Sequence, residues 1–204
     1  MGFQHPAVTR IHACSPAKLN LFLHVTGQRP DGYHTLQTVF QLLDWGDDMT
    51  FELREQPGIT LSGDTDDLLP EDNLIVKAAC ALNQPERGAH IHITKRIPRG
   101  GGLGGGSSNA ATTLRALNIL WSLDLDQRAL LALAKPLGAD VPVFTLGQSA
   151  WAEGIGEDLS PLSLPPRWYA VIMPSCEVQT AEIFGHPELT RNTAPITVAA
   201  FFSG

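Results

Sequence analysis

The sequence predicts an α+β protein in which a β-rich N-terminal half precedes strongly patterned helices. Strand-like apolar patterns dominate the chain up to about residue 62, whereas apolar residues recur at helical spacing after residue 107. Of the 204 residues, 43% are hydrophobic and 17% are charged, which is the balance of an ordered globular chain. A chain of this length buries about 70% of the surface of its unfolded form, which is enough for one large domain or two small ones.

The strands are predicted from alternating or clustered apolar residues. An extended apolar stretch that begins at Ile11 is interrupted by Pro16, and Pro30 and Gly32 occupy turn positions after it. Further along, isoleucines alternate with histidines, which indicates a half-buried strand. The predicted strands are Ile11–Val25, Thr35–Leu43, Met49–Leu53, Ile59–Ser62 and Ala89–Lys95.

Three helices are predicted from caps and periodicity. Asp72-Asn73 supply a polar cap to the first helix, and Asp126 caps the third. The middle helix carries an apolar stripe that starts at Ala110. Gly138 ends the third helix, and Pro142 is expected to block its continuation. The predicted helices are Leu74–Leu82, Ser108 to about Ser122 and Gln127–Leu137, followed by short strands over Val143–Met173 and a weakly patterned tail past Thr180.

Charge and cysteine content restrict the functional classes. A net charge of -7 without a basic cluster argues against a nucleic-acid partner. The sequence shows neither a membrane-length apolar run nor a signal peptide, so we expect a cytoplasmic protein without a membrane partner. We also expect a monomer or weak homodimer. Cys14, Cys80 and Cys176 lie far apart, which suits idle thiols in a reducing compartment. His90 and His92 are interpreted as solvated strand residues, because a metal pair would lack a third ligand nearby.

Six glycines fall within the seven positions Gly100–Gly106, a segment called the glycine loop below, directly before the second predicted helix. Without Cβ atoms the backbone can approach a ligand closely. The free N–H groups at the start of a helix carry partial positive charge. The glycine loop therefore predicts an anion site for a polyphosphate, with Ser107 and Ser108 able to cap the helix, donate to phosphate, or both.

Other interpretations of the glycine loop are weaker. A flexible linker would not normally lie between a strand and a strongly patterned helix. A Walker A motif requires a lysine after its second glycine, and none follows here. The dinucleotide-binding pattern G-x-G-x-x-G occurs at Gly100, Gly102 and Gly105, but the next predicted element after the helix is a second helix instead of a strand.

Several segments resemble the GHMP family of small-molecule kinases. The glycine loop with its flanks, Pro98–Ser108, resembles the ATP loop of that family, and Ser15–Leu23 resembles its N-terminal motif. Together the matching segments keep the family's order, cover nearly the whole chain, and are far more specific than the glycine loop alone. The segments that resemble one branch of the family, which acts on a cytidine-diphosphate-linked sugar alcohol, are Asp31–Thr38, Glu71–Ile75, Leu137–Phe144 and Pro187–Thr193.

The resemblance implies a GHMP kinase fold with helices packed on one face of the sheet. It also implies ATP-dependent phosphorylation, with Mg²⁺, of the 2-hydroxyl of a methylerythritol unit in non-mevalonate isoprenoid precursor synthesis. Lys18 and Asp140 match the catalytic pair of the family. Asp140 can orient or deprotonate the hydroxyl, and Lys18 can hold Asp140 ionised and offset negative charge near the acceptor. A purely structural ion pair is the alternative for these two residues.

The resemblance assigns binding residues as well, although it assigns no metal ligand. Tyr33 and His34 match residues that read cytosine, and Phe184 matches an aromatic ring on the other face of the base, where stacking contributes about 1–3 kcal/mol per base. Asn20 and Thr180 match polar contacts to the substrate. The residues that match the ATP site are Asn73, Leu74, Lys95, Pro98, Arg99, Gly100, Gly101, Gly102, Leu103, Gly104, Gly105, Gly106, Ser107 and Ser108.

The resemblance divides the chain into two parts. Residues 1–165 match the N-terminal ATP- and substrate-binding domain, and residues 166–204 match the start of a C-terminal subdomain. A third glycine-rich motif of the family, of the Gly-Thr-Gly-Ala-Cys type, does not occur in the sequence, so we expect this subdomain to be truncated. Two alternatives stay open: a nucleotide-binding module without turnover, and a GHMP kinase for another alcohol such as mevalonate, homoserine or a sugar.

Overall fold

A single mixed sheet organises the protein. The computed structural model describes residues 8–65, 69, 71–174 and 180–203 of the chain. Within these residues, six strands form one sheet, in which the third and fourth strands run parallel and the other pairs are antiparallel. The strands are β1 (Arg10–Gln28), β2 (His34–Arg54), β3 (Gly58–Gly63), β4 (Gly88–Thr94), β5 (Ala150–Glu153) and β6 (Asp158–Pro161).

The long strand β2 is the centre of the sheet. One edge of β2 pairs with β1 from Arg10 opposite Glu52 to Gln28 opposite His34. The other edge is shared, because β4 pairs with the second half of β2 and β5 pairs with residues 38–40. The β1–β2 hairpin is therefore the framework of the sheet, because β4 and β5 both pair with its strand β2.

Two predicted interruptions of the strands are absent. The predicted strands Thr35–Leu43 and Met49–Leu53 are one strand, because the intervening residues stay extended and Gly46 lets the backbone of β1 approach closely: a Cβ there would lie 2.0 Å from the carbonyl oxygen of Ser15. Strand β1 likewise continues through Pro16, with a shift in register between Pro16 and Lys18. Proline is tolerated there because β1 pairs only with β2 among the described strands.

Helices cover one face of the sheet and enclose the core. Large side chains of the sheet, including Phe51 and Ile91, pack in one cluster with Leu114 and Leu117 of the second helix, and all four are fully buried. On the opposite face, His90 and His92 hydrogen bond to hydroxyl groups of β3. The helices are α1 (Leu74–Ala81), α2 (Gly105–Leu120), α3 (Gln127–Ala134), a 3₁₀ turn at Lys135–Leu137, α4 (Val141–Leu146), α5 (Thr180–Gly185) and α6 (Val198–Ser203).

The structure corrects several predicted helix boundaries. Helix α2 begins at Gly105, three residues before the predicted start at Ser108. Pro142 does not prevent a helix: it lies in the first turn of α4, where its missing N–H would have no partner within the helix. The prediction of short strands over Val143–Met173 is therefore wrong up to Leu146. It is wrong again after Pro161, because residues 162–173 form no strand, and the tail past Thr180 contains two short helices. No helix in the described part of the chain is long and apolar enough to cross a membrane.

Replacement of Leu114 by alanine tests the packing of α2 on the sheet. Leu114 is fully buried, so the Leu114→Ala variant should lose about 2–5 kcal/mol of unfolding free energy through lost transfer energy and a residual cavity. Ile119 lies on the exposed side of the same helix, and Ile119→Ala should cost less than about 0.5 kcal/mol. Urea unfolding measures both, and equal losses would contradict this packing.

Candidate phosphate-transfer site

The glycine loop lines a cavity of about 320 Å³ between the sheet and the start of α2. Gly100, Gly102 and Gly104 have φ angles of 69°, 68° and 75°, which ordinary residues adopt only with strain. Gly105 and Gly106 form the first turn of α2, so their N–H groups are among those that no helical carbonyl can satisfy. The cavity, called the loop cleft below, therefore lies at the positive end of a helix of 16 residues.

Gly104 has a packing reason to be glycine as well as a conformational one. A Cβ at this position would lie 2.8 Å from the ring of Phe144 and 3.2 Å from Cγ of Lys18. The backbone N–H of Lys18 donates to the carbonyl of Leu103 at 3.0 Å, so β1 and the glycine loop are also joined directly. The stem of Lys18 thus passes close to the point where the loop turns into α2.

Lys18 and Asp140, which the sequence places far apart, form an ion pair beside the glycine loop. The distance from Nζ of Lys18 to Oδ2 of Asp140 is 3.3 Å. Lys18 is buried, whereas the side chain of Asp140 is 32% exposed and can meet a ligand. Asp140 occupies the N-cap position of α4, yet its side chain makes no capping hydrogen bond. Its carboxylate pairs with Lys18 instead.

A network of polar groups holds the ammonium of Lys18 in place. Nζ donates to Oδ1 of Asn20 at 2.6 Å, and the amide nitrogen of Asn20 donates to Oγ1 of Thr38 at 2.9 Å. Thr38 in turn donates to the carbonyl of Phe22. The same ammonium lies 5.3 Å from the centre of the Phe40 ring, which favours a cation there. Asn20, expected to contact the substrate, therefore positions Lys18.

A second lysine near the loop is tied to a buried carboxylate, Asp47 of β2. The side chain of Asp47 is fully buried and accepts from Nζ of Lys95 at 2.5 Å. It also accepts from the backbone N–H groups of Arg96 and Ile97 at 2.7 and 2.8 Å, and from the amide of Asn109 at 2.9 Å. Four donors thus surround one carboxylate directly behind the glycine loop.

These donors decide the ionisation of Asp47. Burial acts to raise the pKa of this carboxyl group, because it disfavours the charged form. Hydrogen bonds from Lys95, Ile97, Asn109 and Arg96 outweigh burial, so the pKa of Asp47 lies below its ordinary value of 3.8. Asp47 is therefore an anion at neutral pH and compensates the charge of Lys95.

The residues expected to hold ATP lie around the loop cleft, with distinct local partners. The carbonyl oxygen of the Asn73 side chain caps α1 by accepting from the N–H of Ile75 at 2.9 Å, while its amide donates to the carbonyl of Thr65 at 3.3 Å. Leu74 follows as the first residue of α1, near Gly106. The cleft is lined by Asn73, Leu74, Lys95, Pro98, Arg99 and the residues from Gly100 to Gly106.

The two serines after the glycine loop differ from expectation. The N-cap position of α2 is occupied by Gly104, and no side chain makes a capping hydrogen bond, so the prediction that Ser107 or Ser108 caps the helix is wrong. Ser108 is fully buried and accepts from the hydroxyl of Ser15 at 2.8 Å. The side chain of Ser107 lies near Gly138: a Cβ added to Gly138 would be 4.0 Å from Oγ of Ser107.

A second cavity, called the aromatic cleft below, opens at the turn between β1 and β2. Its volume is about 470 Å³. Phe184 stacks on His34 with ring centres 5.1 Å apart and planes at 30°, and Tyr33 is 62% exposed. The side chain of Thr180 lies outside the described residues. The aromatic cleft is lined by Asp31, Gly32, Tyr33, His34, Leu36, Ala139, Ile155 and Phe184.

The Lys18–Asp140 pair lies next to residues of both clefts. Ala139 lines the aromatic cleft and immediately precedes Asp140. Lys18, the partner of Asp140, bonds to Leu103, which lines the loop cleft. Asp140 and its partner Lys18 are therefore each joined to a residue that lines one of the two clefts.

Sequence reasoning missed the residues that support the site from behind. It gave no role to Asp47, Asn109 or Ser15, although Asn109 donates to both of the other side chains. An acidic run between two apolar stretches is typical of a solvated turn, so no local pattern marks Asp47 as buried. Arg191 was also given no role, although it bonds to His34.

Comparisons with known proteins agree with this geometry. The GHMP kinases N terminal domain matches residues 73–148, which include the glycine loop and Asp140. That class of small-molecule kinases also supplies the similar folds: a homoserine kinase from Cytophaga hutchinsonii, 18% identical, covers 100% of this chain and 66% of its own with a TM-score of 0.60. The matched domain and the shared fold thus indicate the class of GHMP kinases.

More similar proteins define the family. A 4-diphosphocytidyl-2-C-methyl-D-erythritol kinase from Marinobacter nauticus is 52% identical over 97% of this chain and 70% of its own length. Another from Paraburkholderia phytofirmans is 56% identical over 92% of this chain and 65% of its own length. A crystal structure of 4-(cytidine 5'-diphospho)-2C-methyl-D-erythritol kinase, 40% identical, superposes with a TM-score of 0.72 over 87% of this chain and 65% of that one. The chain belongs to the 4-diphosphocytidyl-2-C-methyl-D-erythritol kinase family and spans about two thirds of the length of these relatives.

Two glycine substitutions separate backbone strain from crowding in the glycine loop. Gly102→Ala places a Cβ in open space at positive φ and should cost about 1–2 kcal/mol of unfolding free energy. Gly104→Ala adds contact with Phe144 and Lys18, so it should cost roughly 1–3 kcal/mol more and weaken binding of a non-hydrolysable ATP analogue. Urea unfolding and calorimetry provide the measurements. Equal stability losses in the two variants would show that Gly104 is not crowded.

The Asp47→Asn substitution tests the buried carboxylate. At pH 7 the variant should lose about 3–5 kcal/mol of unfolding free energy, because Lys95 keeps its charge without a compensating anion. Since the pKa of Asp47 is lowered on folding, its ionised form stabilises the protein above pH 3.8, and this contribution is lost as the pH falls below that value.

Urea unfolding between pH 7 and pH 3 measures this dependence. The gap between Asp47→Asn and the wild-type protein should shrink at the acid end of this range. The matched control is Asp48→Asn, at the next position, because Asp48 is half exposed and pairs with Arg96 at the surface. A gap that stays constant with pH would argue against the lowered pKa of Asp47.

Proposed function

We propose that the chain is the nucleotide- and substrate-binding part of a kinase that transfers the γ-phosphoryl group of ATP to the 2-hydroxyl of 4-diphosphocytidyl-2-C-methyl-D-erythritol. The observation that carries this proposal is the pairing of Lys18 with Asp140 directly beside the glycine loop. Membership of the family supports the reaction, and the presence of a separate cleft beside each member of the Lys18–Asp140 pair supports two substrates. The division of the chain into residues 1–165 and 166–204 remains part of the proposal.

The glycine loop binds the phosphates of the nucleotide. Its backbone N–H groups, together with the first turn of α2, present partial positive charge to the phosphate oxygens. Asn73 and Leu74, which also line the loop cleft, hold the nucleoside end. Because phosphoryl transfer depends mainly on alignment and charge stabilisation, a rigid cradle of this kind supplies much of the catalysis.

Asp140 and Lys18 act on the acceptor. The carboxylate of Asp140 accepts the proton of the 2-hydroxyl as the oxygen of that hydroxyl forms its bond to the γ-phosphorus and the bond from the γ-phosphorus to the β–γ bridging oxygen breaks. ADP leaves with that bridging oxygen. Lys18, fixed by Asn20, keeps positive charge beside the carboxylate and the transferring group.

Mg²⁺ is proposed to enter with the nucleotide. No cluster of three acidic, histidine or cysteine side chains that could hold a metal occurs in the residues that the structure describes. Mg²⁺ usually keeps several waters and takes one or two carboxylates together with the substrate's phosphates, so it does not need such a cluster. The ion would neutralise charge on the phosphates.

The aromatic cleft is proposed to bind the cytidine end of the acceptor. His34 and Phe184 already stack on each other, and the exposed ring of Tyr33 is available to a base. Measurement of ADP release with the cytidine-diphosphate-linked alcohol, mevalonate and homoserine tests the choice of acceptor. We expect turnover with the first alone, and equal turnover with mevalonate would reject this assignment.

The Asp140→Asn substitution tests the transfer step. Asparagine keeps the size of the side chain but is a far weaker proton acceptor, so kcat should fall about 10²- to 10⁴-fold, while the affinity for a non-hydrolysable ATP analogue stays within about twofold. Asp158→Asn, at an exposed position of β6, is the matched control and should leave kcat unchanged. A near-normal kcat in Asp140→Asn would reject the role of Asp140.

A further inference from the structure

The guanidinium of Arg191 joins the tail of the chain to the aromatic cleft. Its Nε–H donates to Nε2 of His34 at 3.1 Å. Its remaining nitrogens donate to the backbone carbonyls of Phe184 and His186 at 2.9 Å and of Leu189 at 3.1 Å. Arg191 is partly buried, as are His34 and Phe184. The three carbonyls fix the plane of the guanidinium and thereby fix the direction of its Nε–H.

The contact determines the protonation of His34, because an arginine side chain can only donate hydrogen bonds. Nε2 of His34 must therefore accept, and it cannot carry a proton. An imidazolium has donors at both nitrogens, so His34 in this arrangement is neutral. A neutral imidazole that accepts at Nε2 carries its proton on Nδ1. Arg191 thus selects one of the two tautomers of His34.

We propose that Arg191 is a positioning residue that makes the aromatic cleft selective for cytosine by holding His34 as an Nδ1–H donor. This inference rests on the proposed function, because it assumes that the aromatic cleft binds the base. Cytosine presents an unprotonated ring nitrogen, N3, on its pairing edge, whereas uracil presents an N–H at that position. A fixed Nδ1–H of His34 donates to N3 of cytosine and meets a second donor in uracil.

The energetics favour discrimination by this arrangement. A buried donor that faces another donor loses its hydrogen bond and keeps its desolvation cost, which corresponds to roughly a 10- to 100-fold loss of affinity. Without Arg191 the imidazole could exchange tautomers and accept from the N–H of uracil at Nδ1. Selectivity would then decline even though His34 itself is unchanged.

Calorimetry with cytidine 5'-diphosphate and uridine 5'-diphosphate tests the inference on the 204-residue chain, with the loop cleft saturated by a non-hydrolysable ATP analogue. The wild-type chain should prefer the cytidine nucleotide about 10- to 100-fold, and Arg191→Met should reduce that ratio about 3- to 10-fold. Arg10→Met is the matched control, because Arg10 is an exposed arginine that pairs with Glu52 in the sheet. The control should leave the ratio unchanged.

A double-substitution cycle distinguishes an effect of Arg191 through His34 from an effect through the backbone of residues 184–189. If Arg191 acts through His34, Arg191→Met should not alter the ratio in a His34→Ala background. If Arg191 only holds the carbonyls of residues 184, 186 and 189, its effect on the ratio will persist in that background, and the inference is overturned.

Nitrogen-15 NMR of the imidazole rings measures the tautomer of His34 directly. This tautomer would not change on substitution of Arg191 if Arg191 had only a structural role. In the wild-type chain, the His34 signals, assigned by their loss in His34→Ala, should show an unprotonated Nε2 and a protonated Nδ1. Arg191→Met should shift His34 towards the other tautomer. A proton on Nε2 in the wild-type chain overturns the inference alone, whereas a chain that binds neither nucleotide removes the proposed base site as well.

Discussion

The carboxylate of Asp47 joins both ends of the glycine loop to the central strand of the sheet. Ile97 precedes the loop and Asn109 follows it, and both donate to the same carboxylate. A buried carboxylate is costly unless several donors surround it, and here the donors come from the segments that must be held. The glycines allow the loop backbone to approach phosphate closely. Asp47 anchors the residues on either side of the loop, so only the segment between them can adjust.

The same carboxylate separates the roles of two lysines that lie near the loop. Lys95 has its charge compensated by Asp47 in the interior, whereas Lys18 pairs with the partly exposed Asp140. The compensated Lys95 adds little net charge to the loop cleft. Backbone N–H groups and the start of α2 are therefore important sources of attraction for phosphate, beside the cationic side chain of Arg99, which also lines the cleft. This explains how a chain with a net charge of -7 can offer an anion site.

Local sequence predicted the parts of the site that depend on local physics. A glycine stretch before an apolar stripe is enough to predict a helix that starts at the loop, and this helix is confirmed. The same pattern predicts that the start of the helix binds phosphate. The carboxylate of Asp47 escaped prediction because its partners Lys95 and Asn109 lie 48 and 62 positions away in sequence. Lys18 and Asp140 were paired only through the family resemblance, since no spacing rule relates β1 to the start of α4.

The β1–β2 hairpin carries both Lys18, beside the glycine loop, and His34, in the aromatic cleft. Lys18 lies in the body of β1, whereas His34 lies where β2 begins, after the turn that closes the hairpin. Antiparallel pairing continues along both strands between these two residues, with register shifts between Asn20 and Leu23 and between Val25 and Gly27, and so sets their separation. Under the proposed function, an acceptor bound by its base in the aromatic cleft would reach Asp140 only if its hydroxyl lay at the matching distance from that base. The fold can therefore select an alcohol by its length as well as by its base, because misalignment of the reacting atoms by about 1 Å is enough to slow transfer strongly.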